Sequence, residues 1–226
     1  RRAKSLGGGA IFGGAAVASV LLLGASGYVF RADGINGRFG SQADIHIHAT
    51  GDFLQDFSRC SIAKDGAFAG LEVCPIGPEG RPPEILIWGD SHVRAMFEGL
   101  AQAADEHDRA ALVIWRAGCA PAFDLTKEES AATAAQDAAC TAANAQIRDG
   151  LATMRDIRSV LLIGRWAYYA TGAGSGIDAH NTITLHSDTY PDLPQAQVLG
   201  NALRDTVREI SGRDLFVFIL EQPPEV

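Results

Sequence analysis

"ILIWGDSHVRAMFEGL", residues 85–100, runs four apolar residues into a Gly-Asp-Ser-His turn and then into apolar positions at helical spacing. Val93, Met96, Phe97, Leu100, Ala101 and Ala104 recur at i, i+3, i+4, i+7, i+8 and i+11, which is one face of a helix. A short apolar strand turning through glycine into a helix is the repeating unit of a parallel α/β sheet. The unit recurs downstream. "ALVIW" (111–115), followed by "RAGCAP", reads as a second buried strand, "VLLIG" (160–164) as a third and "LFVFIL" (215–220) as a fourth. Thr126 and Glu129 have the spacing of a capping box before an Ala-rich helix that reaches about Arg158. Val198, Leu199, Ala202, Leu203, Val207 and Ile210 mark another helix, with Gly212 as its stop, and residues 170–194 read as a loop. Continuous apolar strands alternating with helices mean a parallel sheet covered on both faces. In such sheets sites gather just beyond the carboxyl ends of the strands, where Ser91, Gly118 and Arg165–Trp166 fall.

Outside this core the chain has a different character. Residues 5–30 carry no formal charge, and about 20 apolar residues suffice to cross a bilayer, so this segment is expected to span one. Arg1, Arg2 and Lys4 before it place that end in the cytoplasm and everything after Arg31 outside the inner membrane. Gly9 and Gly13 form a G-x-x-x-G suited to close packing against another helix. A signal sequence is the competing reading, because "GASG" resembles a small-residue cleavage site. Residues 31–57, with several X-Gly turn signals and little periodicity, read as a connector. His46 and His48 within it are an H-x-H pair, taken as two residues on one exposed strand face rather than as metal ligands.

The 226 residues carry 19 basic and 27 acidic side chains, a formal charge of −8. An acidic body argues against binding a phosphate backbone, so no nucleic-acid partner is expected. Cys60, Cys74, Cys119 and Cys140 all follow the apolar segment, and an even count in an exported domain points to two disulfides. Sequence alone allows three connectivities, of which nearest-neighbour pairing is favoured; a zinc site competes, but no C-x-x-C pair supports it. No metal is expected.

A serine hydroxyl is a weak nucleophile until a base takes its proton and donors hold the oxyanion that forms. Ser91 opens a helix, so its own N–H and the next few lack helical partners and face the site, with the positive end of the helix dipole behind them. Gly89 lets the chain turn without a Cβ in the way. The plainer reading is that Asp90 or Ser91 merely caps the helix.

The combination resembles the SGNH (GDSL-like) hydrolase superfamily. It looks more closely like the periplasmic SGNH domain fused behind the membrane-embedded acyltransferase-3 domain of bacterial O-acetyltransferases. The residues that carry the likeness are the basic-flanked span, "GINGRF" after it, the cysteines before the first strand, "LIWGDSHVRAM", "GCAP" and "LLIGRWAYY". The resemblance implies a three-layer, flavodoxin-like parallel-sheet domain over residues 76–226, C-terminally incomplete. Residues 31–75 would be a periplasmic extension, and residues 1–30 the last span of the membrane acyltransferase domain. It implies Ser91 as nucleophile and Gly118 as the glycine whose N–H joins that of Ser91 in an oxyanion hole, with Asp90, His92, Arg165 and Trp166 at the substrate.

Two departures stand out. Many members carry Gly-x-Asn in the third block, whereas here Gly164 is followed by Arg165-Trp166. The D-x-x-H block that supplies acid and base is expected beyond Val226, since "DAH" (178–180) and "HSD" (186–188) have the wrong spacing. The chain is accordingly expected to be a piece of a longer protein and inactive alone. The function implied is transfer of an acyl group, acetyl first among the candidates, through an acyl-serine to an envelope polysaccharide such as lipopolysaccharide. No cofactor is bound, and acyl-CoA is the ultimate donor on the membrane domain. The partners implied are that domain, the glycan acceptor and the lipid bilayer, in a bacterial inner membrane with the SGNH domain in the periplasm. The alternatives are a membrane-tethered periplasmic esterase and a non-catalytic, SGNH-like glycan-binding module.

Overall fold

The structure is a computed structural model and describes residues 7–32, 34–35 and 57–222. The chain divides into two compact units, Arg1–Leu54 and Gln55–Val226. The basic residues before the span, the His46/His48 pair and most of the connector lie outside the described residues.

Within the first unit the uncharged segment forms one helix, α1 (Gly8–Arg31), with no buried residue. Its length and composition suffice to cross a membrane.

The second unit is built on a six-stranded sheet. Its strands are β1 (Ser61–Ile62), β2 (Glu72–Ile76), β3 (Ile85–Gly89), β4 (Ala111–Trp115), β6 (Ser159–Ile163) and β8 (Phe216–Leu220), in the order β1-β2-β4-β3-β6-β8. The four strands read from the sequence, β4, β3, β6 and β8, pair in parallel, with Gly89 opposite Trp115 on one side and Ile163 on the other. β1 and β2 add antiparallel strands at the outer edge. The sheet therefore begins before residue 76, inside the stretch assigned to the extension. Glu72–Ile76 combines a charge, a cysteine and a proline, so it lacks the apolar run that marks a central strand, and proline suits its place near the edge.

Successive side chains of β3 point to opposite faces, and each face has its own core. Leu86 and Trp88 join Ile114, Val160, Leu162, Ile147, Leu151 and Ile210 beneath α4 (Ala134–Thr153) and α6 (Gln195–Ser211). Ile87 joins Val113, Ile163, Val93, Phe97 and Ala101 beneath α2 (Ser91–Ala95) and α3 (Phe97–Glu106). These are the three layers. The expected single helix after Ser91 is broken at Met96, yet Val93, Phe97, Ala101 and Ala104 stay buried, so the period survives the break.

Two assignments change. Thr126–Glu129 is not a helix start but strand β5, paired antiparallel with β7 (Ile183–His186), which lies inside the presumed loop. The capping box is seven residues on, where Thr133 and Gln136 exchange side-chain-to-backbone hydrogen bonds ahead of Ala134. Spacing i, i+3 is common to both pairs, and "TKEE" alternates outward Thr126 and Glu128 with inward Lys127 and Glu129, a strand pattern that two charged inward residues conceal. Gly212 does follow α6 as its cap, with φ −65, and the left-handed residue of that turn is Asp214 at φ 60.

The cysteines pair as nearest neighbours: Cys60–Cys74 at 2.00 Å and Cys119–Cys140 at 2.04 Å between sulfurs. The first fastens the chain before β1 to β2; the second fastens the turn after β4 to α4.

Candidate functional site

The site forms where β3 and β4 end. Gly89 has no room for a side chain: a Cβ there would overlap the Ile163 carbonyl and lie 2.6 Å from Val93 Cγ2. Only glycine lets the turn run this tightly between β6 and the first turn of α2.

Asp90 follows, 1% exposed, and its carboxylate organises the turn. Oδ1 accepts the His92 N–H at 2.8 Å, capping α2, and lies 3.2 Å from His92 Nδ1. Oδ2 accepts the Arg165 N–H and the Tyr169 hydroxyl, each at 2.7 Å. The carboxylate thus joins the end of β3 to the start of α5 (Trp166–Thr171) after β6. Asp90 borders the candidate site but is filled by protein donors, which gives it a positioning role. Burial, and then the Asp90 charge, push the Tyr169 phenol above its usual pKa, so the hydroxyl remains a donor.

With Asp90 capping the helix, Ser91 is left exposed at the first helical position. Among the described residues neither the Ser91 hydroxyl nor its N–H has a hydrogen-bond partner. The Gly118 N–H likewise donates to no described residue. Gly118 has φ +62, a conformation that favours glycine, and a Cβ would collide with the Glu129 carboxylate. Ser91 and Gly118 line one cavity of about 360 Å³. Since α2 has only five residues, electrostatic help at Ser91 comes from these local N–H groups more than from a long helix dipole.

The opposite wall is one that sequence reading missed. β5 turns Lys127 and Glu129 inward, where the Lys127 ammonium pairs with the Glu129 carboxylate and, at 3.0 Å, with Asp137 Oδ1. The Tyr168 hydroxyl donates to Glu129 Oε1 at 3.1 Å. Burial and the Glu129 charge raise the Tyr168 pKa. A carboxylate beside Gly118 would oppose an oxyanion forming there, and Lys127 offsets its charge. Charged residues in a short strand carry no signal that would have revealed this wall.

Arg165 lines the same cavity; its guanidinium pairs with Asp178 at 3.1 Å and lies 4.8 Å from the Tyr168 ring centroid. Asp178, passed over within "DAH", thus holds an arginine rather than a histidine. Trp166 is not among the lining residues: its indole N–H donates to the Leu220 carbonyl at 2.8 Å and its ring packs on the core. His92 is turned to Asp90, and neither His180 nor His186 lines the cavity. Among the described residues no group of three or more His, Cys, Asp or Glu has the arrangement of a metal site.

A mostly parallel sheet between two helical layers, with a serine at the turn from β3 into α2 on the same cavity as Gly118, has the architecture of an α/β hydrolase-like domain. Within that class the chain belongs to a specific family: residues 59–226 match the family model of the SGNH domain fused to AT3 domains. No curated protein and no solved structure matches the chain. The family makes this the SGNH module of a membrane-associated acyltransferase, with an acyltransferase domain in the same protein, and α1 agrees with membrane anchoring.

Proposed function

We propose that this domain transfers an acyl group, acetyl first among the candidates, to a hydroxyl of an envelope polysaccharide, with Ser91 as the acyl carrier. The observation that carries the reading is that, among the described residues, an exposed hydroxyl without a hydrogen-bond partner and two N–H groups without one, those of Ser91 and Gly118, line one cavity. When the Ser91 oxygen attacks an acyl carbonyl, the carbonyl oxygen gains negative charge, and these N–H groups are the donors able to receive it. Collapse of the tetrahedral intermediate expels the donor's leaving group and leaves an acyl-serine. A sugar hydroxyl then attacks the same carbonyl, the same donors act again, and Ser91 is released. Among the described residues no imidazole lines the cavity; in the balance of the two steps the Ser91 proton departs with the donor's leaving group and the sugar hydroxyl's proton returns to the Ser91 oxygen.

Asp90 and Tyr169 set the position of the serine turn, and Glu129 with Lys127 sets the position of Gly118. The chemistry requires no metal or bound cofactor. The membrane acyltransferase domain would deliver the acyl group from acyl-CoA to a module on the periplasmic side of the inner membrane.

The test is Ser91→Ala in the protein with its membrane domain, expressed in cells and read as ester-linked acyl groups on envelope polysaccharide. The reading expects loss of acylation with the protein still folded and membrane-bound. Acylation at the parental level would overturn it. Acyl release to water with no glycan acylation would favour the tethered esterase instead.

A further inference from the structure

Of the three cations that line the Ser91 cavity, two are committed to the protein itself. Lys127 is bound by Glu129 and Asp137, and Arg165 by Asp178. The cavity's carboxylates are committed too: Asp90 to His92, Arg165 N–H and Tyr169, Glu129 to Lys127 and Tyr168, Asp178 to Arg165. Arg116 is different. Among the described residues its guanidinium has no hydrogen bond and no ion pair, in a chain whose formal charge is −8.

Its place is fixed by the sheet. The Arg116 N–H donates to the Gly89 carbonyl at 3.0 Å, extending the β3–β4 ladder one residue past the Gly89–Trp115 pair. Arg116 therefore stands beside the Gly89-Asp90-Ser91 turn and two residues before Gly118. It also lines a second cavity, of about 280 Å³, with Trp88, Ile114, Ile147 and the acidic Glu72, and among the described residues no ion pair joins Arg116 to Glu72. A planar guanidinium with five donors, half-buried and unpaired, is suited to a carboxylate or phosphate taken in two-pronged fashion.

We infer that Arg116 is an anion-binding subsite of the Ser91 cavity and selects an acidic sugar, a hexuronate or a hexose phosphate, as the acceptor. This deepens the proposed transferase reading and rests on it for the word acceptor, while the binding itself does not. The anionic group held by Arg116 would set an adjacent ring hydroxyl against the acyl-serine, so the subsite would choose both the sugar and the hydroxyl.

The test is binding, which needs no turnover. The chain in lipid nanodiscs is titrated with methyl glucuronide, glucose 6-phosphate and methyl glucoside by ligand-observed NMR at low salt. A charge-assisted bidentate contact predicts about tenfold or tighter binding of an anionic sugar over the neutral one, reduced by added salt. Preference for glucuronide or for the phosphate tells which anion the subsite takes. Arg116→Gln should abolish the preference, and Arg116→Lys should keep part of it, since lysine supplies charge without the fork. Thermal unfolding checks that both variants fold, which the absence of structural partners predicts. Equal affinity for charged and neutral sugars, or a preference that survives Arg116→Gln, overturns the inference. Ser91→Ala should leave the preference intact, so failure of the acyl-transfer reading and failure of this one are separately visible.

Discussion

Replacing Asp90 by Ala is the sharpest structural perturbation of the site. The substitution removes a carboxylate that is 1% exposed and strands three donors, the N–H groups of His92 and Arg165 and the hydroxyl of Tyr169. A buried donor left unpaired costs about 1–3 kcal/mol. The carboxylate's own burial is costly and is relieved by its removal, so the low part of that range applies, giving about 4 kcal/mol in all. For a domain of this size each kcal/mol lowers Tm by roughly 2–4 °C, and the fall should be roughly 8–16 °C. Tyr169→Phe removes one donor and should cost about 1 kcal/mol. In the double variant only the His92 and Arg165 N–H groups are stranded, at about 3 kcal/mol, so the combined loss should be about 2 kcal/mol smaller than the sum. The assay is thermal unfolding by near-ultraviolet circular dichroism of the chain in nanodiscs. An Asp90→Ala protein melting with the parent, or strict additivity in the cycle, would refute the view that this carboxylate ties β3 to α5.

Three further outcomes follow from the same geometry. Gly118→Ala forces a side chain into a left-handed conformation at about 1–2 kcal/mol and pushes on Glu129, so transfer in the full protein should fall about 10²–10³-fold while the fold persists; glycan acylation measures it. Tyr169 ionises above the usual tyrosine pKa in the fold, whereas an unfolded tyrosine ionises near pH 10. Its contribution is therefore complete below about pH 10 and is lost as pH rises beyond it, and Tyr169→Phe should flatten the alkaline decline in Tm. Changing Cys119 and Cys140 together to Ser opens a link spanning 21 residues, at about 3 kcal/mol, and should lower Tm by roughly 6–12 °C.

The parallel sheet was legible because its central strands are apolar on both faces, and a run such as "VLLIG" has few other places to go. Ser91 was legible because a polar turn between a buried strand and a helical period marks a sheet's carboxyl edge. What the sequence concealed was built from alternation with charge. Lys127 and Glu129 point inward, where periodicity predicts apolar residues, and each is tolerable there only because the other, with Asp137 and Tyr168, neutralises it. Trp166 shows the reverse: an aromatic that looked available to a sugar spends its N–H on Leu220. Arg116 could not be distinguished in sequence from any surface arginine. What sets it apart is that it has no side-chain partner among the described residues, whereas the other cations of the cavity have theirs.

The most direct measurement is to catch the acyl carrier itself. The full protein is supplied with its acyl donor, denatured rapidly in acid without a glycan acceptor, and the peptide containing Ser91 is weighed and sequenced by mass spectrometry. The account predicts a mass gain equal to one acyl group on the Ser91 oxygen, lost when acceptor glycan is added before the quench. An acyl group carried on a different residue, or transfer that proceeds unchanged after Ser91→Ala, would contradict it.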